Sequence, residues 1–424
     1  MRPALLALTI GALLGSGLAH AQLRGHGGPV RALAVCRDGA EAISGSFDSS
    51  AIRWSLARET AEQVLRLHDG AVNAVACLPD GRIVTAGADA RIGLWRAGQP
   101  TPETVLEGHT GPIAGLAVSP DGAWLASASW DHTVRLWPLA GGAPRVLEGH
   151  GQNVNGVAFT RDGTSLVSVG YDASVRIWPL DGGAPAVVTL PAPLNAVVAA
   201  DDTIIAAGAD GRLYFLSPGG QQSATLDVTR SPVVALAISD DGKAIAAASI
   251  GGPVALVHRP AQGPPASLIG PAPPAWSVAF LPDGRTLLTG GADGAIRRWD
   301  AATGTPLGAR DTGAADDPLA AYAGDPGAEV FRACVACHSL TADAGNRAGP
   351  SLHGLFGRRI ASLPGYNFSE ALKRLDIVWT PETIAKLFED GPASYTPGTK
   401  MPDQRIGAPE ERAALVRFLE HATR

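Results

Sequence analysis

The residues of this 424-residue chain best suited to chemistry are Cys334-Val335-Ala336-Cys337-His338. Two thiols three residues apart on a helical turn can reach the two vinyl groups of a haem as thioethers. The adjacent histidine is then held under the iron as its proximal ligand. A redox dithiol with the same Cys-x-x-Cys form would follow a strand in an alternating α/β pattern, which is absent here. A structural zinc site would need a second ligand pair, and none follows. The spacing therefore points to a single covalently attached haem, heme c.

The sixth ligand of such an iron follows by elimination. The sequence has two methionines, and Met1 opens a leader that is removed on export. Met401 stands in Tyr395-Thr396-Pro397-Gly398-Thr399-Lys400-Met401-Pro402, a stiff, non-helical loop that can present a thioether without helical backbone in the way. Iron held by His338 and Met401 has no open position for substrate. Such a centre passes single electrons.

These residues need a scaffold. Asp325-Pro326 opens a segment with Val330 and Phe331 spaced for a short helix leading to the cysteines. From this point residues 323–424 resemble a class I cytochrome c of the mitochondrial and bacterial short-chain type, which implies an all-α domain. The resemblance implies that Gly327 and Phe331 pack against a last helix beginning at Pro409, with Leu415, Phe418 and Leu419 on one face. It implies that the carbonyl of Pro350 receives the His338 N–H and fixes the imidazole tautomer. Arg358 and Trp379 would bind haem propionates, and Thr399 would do the same beside the methionine loop. His353 would brace a loop and not ligate. Phe388 departs from a tyrosine usual in that family, and Phe368 and Leu372 replace polar residues, so the pocket is expected to be drier.

The rest of the chain is periodic. Trp54, Trp95, Trp137 and Trp178 follow one another at intervals of 41, 42 and 41 residues. Each lies six residues after an aspartate (Asp48, Asp89, Asp131, Asp172), and four residues before each aspartate comes Ser44, Thr85, Ser127 or Ser168. His26, His68, His109 and His150 stand 21 or 22 residues before the aspartates. Thr289, Asp293 and Trp299 repeat the pattern without the histidine. Degenerate units at 194–216 and 233–258 bring the count to seven. Asp-Gly hairpin turns at 38, 80, 121, 162, 241 and 283 separate short β-prone runs. Residues 22–305 thus resemble a WD-repeat β-propeller with seven four-stranded blades.

That resemblance implies that His, Ser or Thr, Asp and Trp of one unit form a hydrogen-bonded set holding a blade together. Recurrence in successive units argues against a catalytic triad, because one active site needs one triad. The units at 194 and 233 lack the set, so their blades are expected to be the most weakly tied. Ring closure has two contenders: Gln22-Leu23-Arg24 as the outer strand of the last blade, or Thr305–Arg310. Cys36 and Cys77 lie in adjacent repeats, one residue out of register. With neighbouring blades expected to hold their Cα atoms beyond the disulfide limit of about 7 Å, both are expected to be unpaired.

The expected organisation is a multidomain chain: signal peptide 1–21, all-β seven-bladed propeller 22–305, linker 306–322 and all-α cytochrome c domain 323–424. Arg2, an uncharged run from Ala4 to Ala19 and Ala19-His20-Ala21 have the form of a cleavable secretory leader. Sixteen uncharged residues are too few to span a bilayer, which needs about 20. Location in the periplasm, with no transmembrane segment after leader cleavage, is the expectation. A net charge of −6 leaves no basic footprint for nucleic acid. Residues 323–424 carry three Lys and nine Arg against twelve Asp and Glu, so no lysine ring steers an acidic partner to the haem. The expected function is electron transfer with a redox partner protein, the propeller docking a protein beside a tethered haem. The alternatives are a propeller-based oxidoreductase using the cytochrome as its electron outlet, and a haem-bearing interaction scaffold. Outside the repeat motif the propeller's leftover histidines are His132 and His258, which is thin support for an enzyme.

Overall fold

The structure is a computed structural model that describes residues 22–36, 38–200, 202–250, 253–259, 264–268, 274–307, 319–331, 334, 338–342, 349–366, 368–397, 399, 401, 406 and 408–424. Its β portion consists of seven four-stranded antiparallel sheets, which makes it a seven-bladed propeller. In every blade the first strand is innermost. These strands (Val30–Val35, Val72–Cys77, Ile113–Val118, Val154–Phe159, Leu194–Ala199, Val233–Ile238 and Ala275–Phe280) pack on one another around a central channel. The middle strands read as near-continuous buried runs, such as Trp124–Ser129, because each is covered on both faces by neighbouring blades.

The last blade settles the two contenders for ring closure. Gln22–Arg24 pairs antiparallel with Ala295–Asp300, in the register Gln22 to Arg297 and Arg24 to Ala295. Pro306 then bridges Trp299, and the Leu307 N–H donates to the Arg298 carbonyl at 2.9 Å. The N-terminal strand closes the ring, and the chain leaving the last blade covers the remainder of the same edge. An open sheet edge is thereby blunted.

The hydrogen-bonded sets form as the repeat implies. In the third blade Trp137 Nε1 donates to Ser127 Oγ at 2.8 Å, and Ser127 Oγ lies 2.7 Å from His109 Nε2. His109 Nδ1 lies 2.7 Å from Asp131, which also accepts the Thr110 N–H at 3.1 Å. The same chain of contacts occurs in blades one, two and four, where the indole-to-hydroxyl distances are 2.7, 3.0 and 2.8 Å. All four histidines are buried. Each set ties the turn entering a blade to its second and third strands, and leaves no buried hydroxyl or imidazole unsatisfied.

Substitutes appear where the set is incomplete. In the last blade Trp299 still donates to Thr289 at 2.8 Å, while Arg297 reaches Asp293 at 3.0 Å in place of a histidine. In the fifth blade, Tyr214 Oη donates directly to Asp210 at 2.6 Å. That blade lacks the four-residue set but keeps a buried link to its turn.

One expectation is corrected. Cys36 and Cys77 form a disulfide, with their Cα atoms 5.3 Å apart. The separation expected between blades applies to outer strands. These two residues sit at the ends of neighbouring innermost strands, where the ring is tightest.

The described residues of the C-terminal portion include five α-helices. Its helices are α1 (Pro326–Phe331), α2 (Glu370–Lys373), α3 (Pro381–Asp390), α4 (Pro392–Tyr395) and α5 (Pro409–Ala422). α1 crosses α5 at Gly327, where a Cβ would lie 2.2 Å from the Ala414 carbonyl oxygen. That closeness lets Phe331 stack on Phe418 with ring centroids 5.3 Å apart. Leu319, Phe331, Leu415, Phe418 and Leu419 are core residues, so the segment just before α1 also enters this core. No helix among the described residues is long and apolar enough to cross a membrane.

Candidate haem-binding site

Local chain geometry places the donors. The Cys334 N–H donates to Phe331 O at 2.7 Å and the His338 N–H to Cys334 O at 2.9 Å, which ties both residues to the end of α1. Cys334 and His338 face the same cavity. His338 Nδ1 stands 2.8 Å from the Pro350 carbonyl oxygen, the partner the sequence implied. A carbonyl only accepts, so Nδ1 carries the proton and Nε2 is the nitrogen left to meet a metal.

A second feature was not singled out from the sequence. A Cβ on Gly349 would lie 2.5 Å from Cε1 of His338, so the chain passes the imidazole ring in direct contact. Its only sequence signal is its place directly before Pro350.

Met401 is presented by a relay of short bonds. Thr396 Oγ1 donates to Pro392 O at 2.8 Å, the Thr399 N–H donates to Thr396 O at 3.0 Å, and Thr399 Oγ1 accepts the Met401 N–H at 3.1 Å. The Ile406 N–H donates to Phe388 O at 2.9 Å, which ties that residue to α3.

Arg358 and Trp379 are held by a two-strand bridge: the Trp379 N–H donates to Arg358 O at 3.0 Å and the Gly357 N–H to Trp379 O at 2.9 Å. The Arg358 guanidinium also donates to His353 O at 3.0 Å and Ser351 O at 2.9 Å, and burial depresses its pKa. His353 thus contributes its carbonyl to bracing this loop.

Cys334, His338, Pro350, Arg358, Trp379, Thr399 and Met401 all line one cavity, together with Phe368, Leu372 and Phe388. Cys337 lies outside the described residues. Burial pushes the Cys334 thiol up to about 11, so it is protonated at neutral pH. Among the described residues no group of three His, Cys, Asp or Glu comes together to hold a bare ion. A haem brings four nitrogens of its own and needs only two axial donors, and the imidazole and thioether on this cavity fit that requirement.

Comparison with known proteins agrees with the geometry. The cytochrome c family model matches residues 324–423. The fungus Cochliobolus lunatus has a cytochrome c 42% identical over 99 residues, which are 23% of this chain and 91% of that protein. Cytochrome c of Arabidopsis thaliana is also 42% identical over 99 residues, covering 88% of its length, and that of Sesamum indicum is 39% identical over 98 residues, covering 87%. The C-terminal part of this chain belongs to the cytochrome c family. The WD domain, G-beta repeat model matches residues 18–55, 60–96, 100–138, 142–179 and 264–300. The fifth and sixth blades fall outside those matches, as the missing four-residue sets there lead one to expect. The cytochrome c domain implies a haem and electron transfer, and the WD propeller a protein-interaction platform.

Proposed function

We propose that this protein is exported to the periplasm, where it passes single electrons through one haem attached to Cys334 and Cys337 and ligated by His338 and Met401. The observation that carries this reading is the His338 Nδ1 contact to Pro350 O at 2.8 Å on a cavity also lined by Met401. When bound, the haem supplies a one-electron iron couple whose potential the thioether raises by favouring the ferrous state. Pro350 holds the imidazole in the tautomer that presents Nε2, and Thr399 fixes the backbone that carries the Met401 sulfur. Phe368, Leu372 and Phe388 line the cavity with apolar surface and keep water from it. The Cys36–Cys77 disulfide supports export, since such bonds persist in oxidising compartments.

In this reading the propeller docks the redox partner and the tether keeps the haem near it. Covalent tethering raises the local concentration to the order of mM. The test is the optical spectrum of the purified holoprotein and its Met401→Ala variant, together with a cofactor inventory. We expect one low-spin haem, with the variant keeping its covalent haem while its iron binds added imidazole or carbon monoxide. An unchanged spectrum in the variant overturns the ligand assignment, and a second cofactor overturns the carrier in favour of an oxidoreductase.

A further inference from the structure

In all seven blades the second residue of the innermost strand sits in a β-bulge, at the same end of the channel. A bulge leaves its residue unpaired and re-aims the side chain. Three of these residues, Asn73, Asn155 and Asn195, use their amides to tie one blade to the next, bonding Ile113 O, Leu194 O and Val233 O at 3.1, 2.9 and 2.8 Å. Arg31 and Trp276, on the adjoining first and last blades, do no such work. Among the described residues the Arg31 guanidinium makes no hydrogen bond or ion pair. Burial depresses its pKa.

The same end of the ring carries an unexplained apolar rim. The turn residue just after each second strand donates its N–H to the chain entering the innermost strand, at 2.8–3.2 Å in every blade. Three of these seven positions are alanine (Ala88, Ala209, Ala292), so the turn itself needs no large side chain. The other four are Phe47, Trp130, Tyr171 and Ile250, all 42–44% exposed. Two are already fixed in place: Phe47 stacks edge-on against Trp276 at 5.6 Å, and Trp130 Nε1 donates to Asn155 Oδ1 at 3.0 Å. Ordered aromatic side chains lose little entropy on binding and make good anchors.

We propose that this end of the propeller docks a protein partner that presents an acidic, apolar loop, its carboxylate drawn to Arg31 and its apolar side chains seated on Phe47, Trp276, Trp130 and Tyr171. The inference rests on the docking role proposed above and adds the face and the partner's chemistry. A lone half-buried cation without a counter-charge calls for an anion. The rim spans blades on both sides of the channel, a reach suited to a protein surface of about 800 Å² and not to a small molecule. It also supplies what the charge-balanced cytochrome domain lacks, a means of selecting an acidic partner.

The probe is a fluorescein-labelled synthetic peptide alternating Asp and Glu with Leu and Phe, titrated into the full-length holoprotein and followed by anisotropy. We expect saturable binding, weakened tenfold or more in Arg31→Gln and in Trp130→Ala, and unchanged in Val187→Ala on an outer strand. Melting curves separate lost binding from lost folding, and Trp276→Phe is a milder second variant. No binding, or binding indifferent to Arg31→Gln and Trp130→Ala, overturns the proposal. Equal binding of a peptide with Ser for Leu and Phe overturns it in favour of a small-anion site. Equal binding of the Lys-for-acid peptide overturns the acidic partner while leaving a docking face, and none of these outcomes bears on the haem ligands tested through Met401.

Discussion

Cys36 and Cys77, 41 residues apart in sequence, are covalently joined across the first two blades, at the ends of their innermost strands. The bond restrains the unfolded chain as well as the folded ring. Loop-closure entropy for this separation gives a contribution of about 4 kcal/mol. Cys36→Ser with Cys77→Ser is expected to lower the denaturant midpoint accordingly without altering the haem spectrum. Equal midpoints with and without a reductant in the wild type would count against the bond.

Gly327 is expected to tolerate no side chain. A Cβ there would lie 2.2 Å from the Ala414 carbonyl and 2.5 Å from the Phe418 Cβ, and backbone cannot step aside as a flexible side chain can. Gly327→Val should cost about 3 kcal/mol or more in the C-terminal domain. Calorimetry should show its transition shifted down while that of the propeller stays put.

The contact between Gly349 and the His338 ring bears on the axial bond. Gly349→Ala would set a methyl group 2.5 Å from Cε1, forcing the imidazole to tilt or the loop to retreat. We expect covalent haem in normal yield with a changed midpoint potential and altered ligand-field bands. An unaltered potential would mean that the loop yields and the histidine does not.

Stability of the propeller should fall with acid in two stages. Burial holds His109 and His150 below their ordinary value, so in the fold they take up protons only at lower pH than in the unfolded chain, whose imidazoles protonate below about pH 6.5. The unfolded state then binds more protons, and stability drops as pH falls through that window. For Asp48 and Asp131 burial works to raise the pKa. It is outweighed by His26 and Ser50 at the first and by Thr133 and His109 at the second, which leaves both at about 2. Their contribution is whole above the ordinary carboxylate value of 3.8 and fades between there and about 2. Urea midpoints at pH 7.5, 5.5 and 3 should descend in that order. Removing one set by His109→Asn should shrink the first step.

Much of this protein is legible in its sequence because the deciding interactions are short-range. The Cys334 to His338 spacing is one helical turn, a repeat unit holds its own His, hydroxyl, Asp and Trp within about 30 residues, and Met401 is the one methionine besides Met1. Asp-Gly turns and hydroxyl residues announce blades because a hairpin and a buried indole each have few chemical solutions. Other relations depend on how the ring closes. The pairing of Cys36 with Cys77 required innermost strands to converge on a channel, a distance that no spacing along the chain encodes. Phe47, Trp130, Tyr171 and Trp276 are scattered across 230 residues and become one surface only because seven blades turn the same end toward one face.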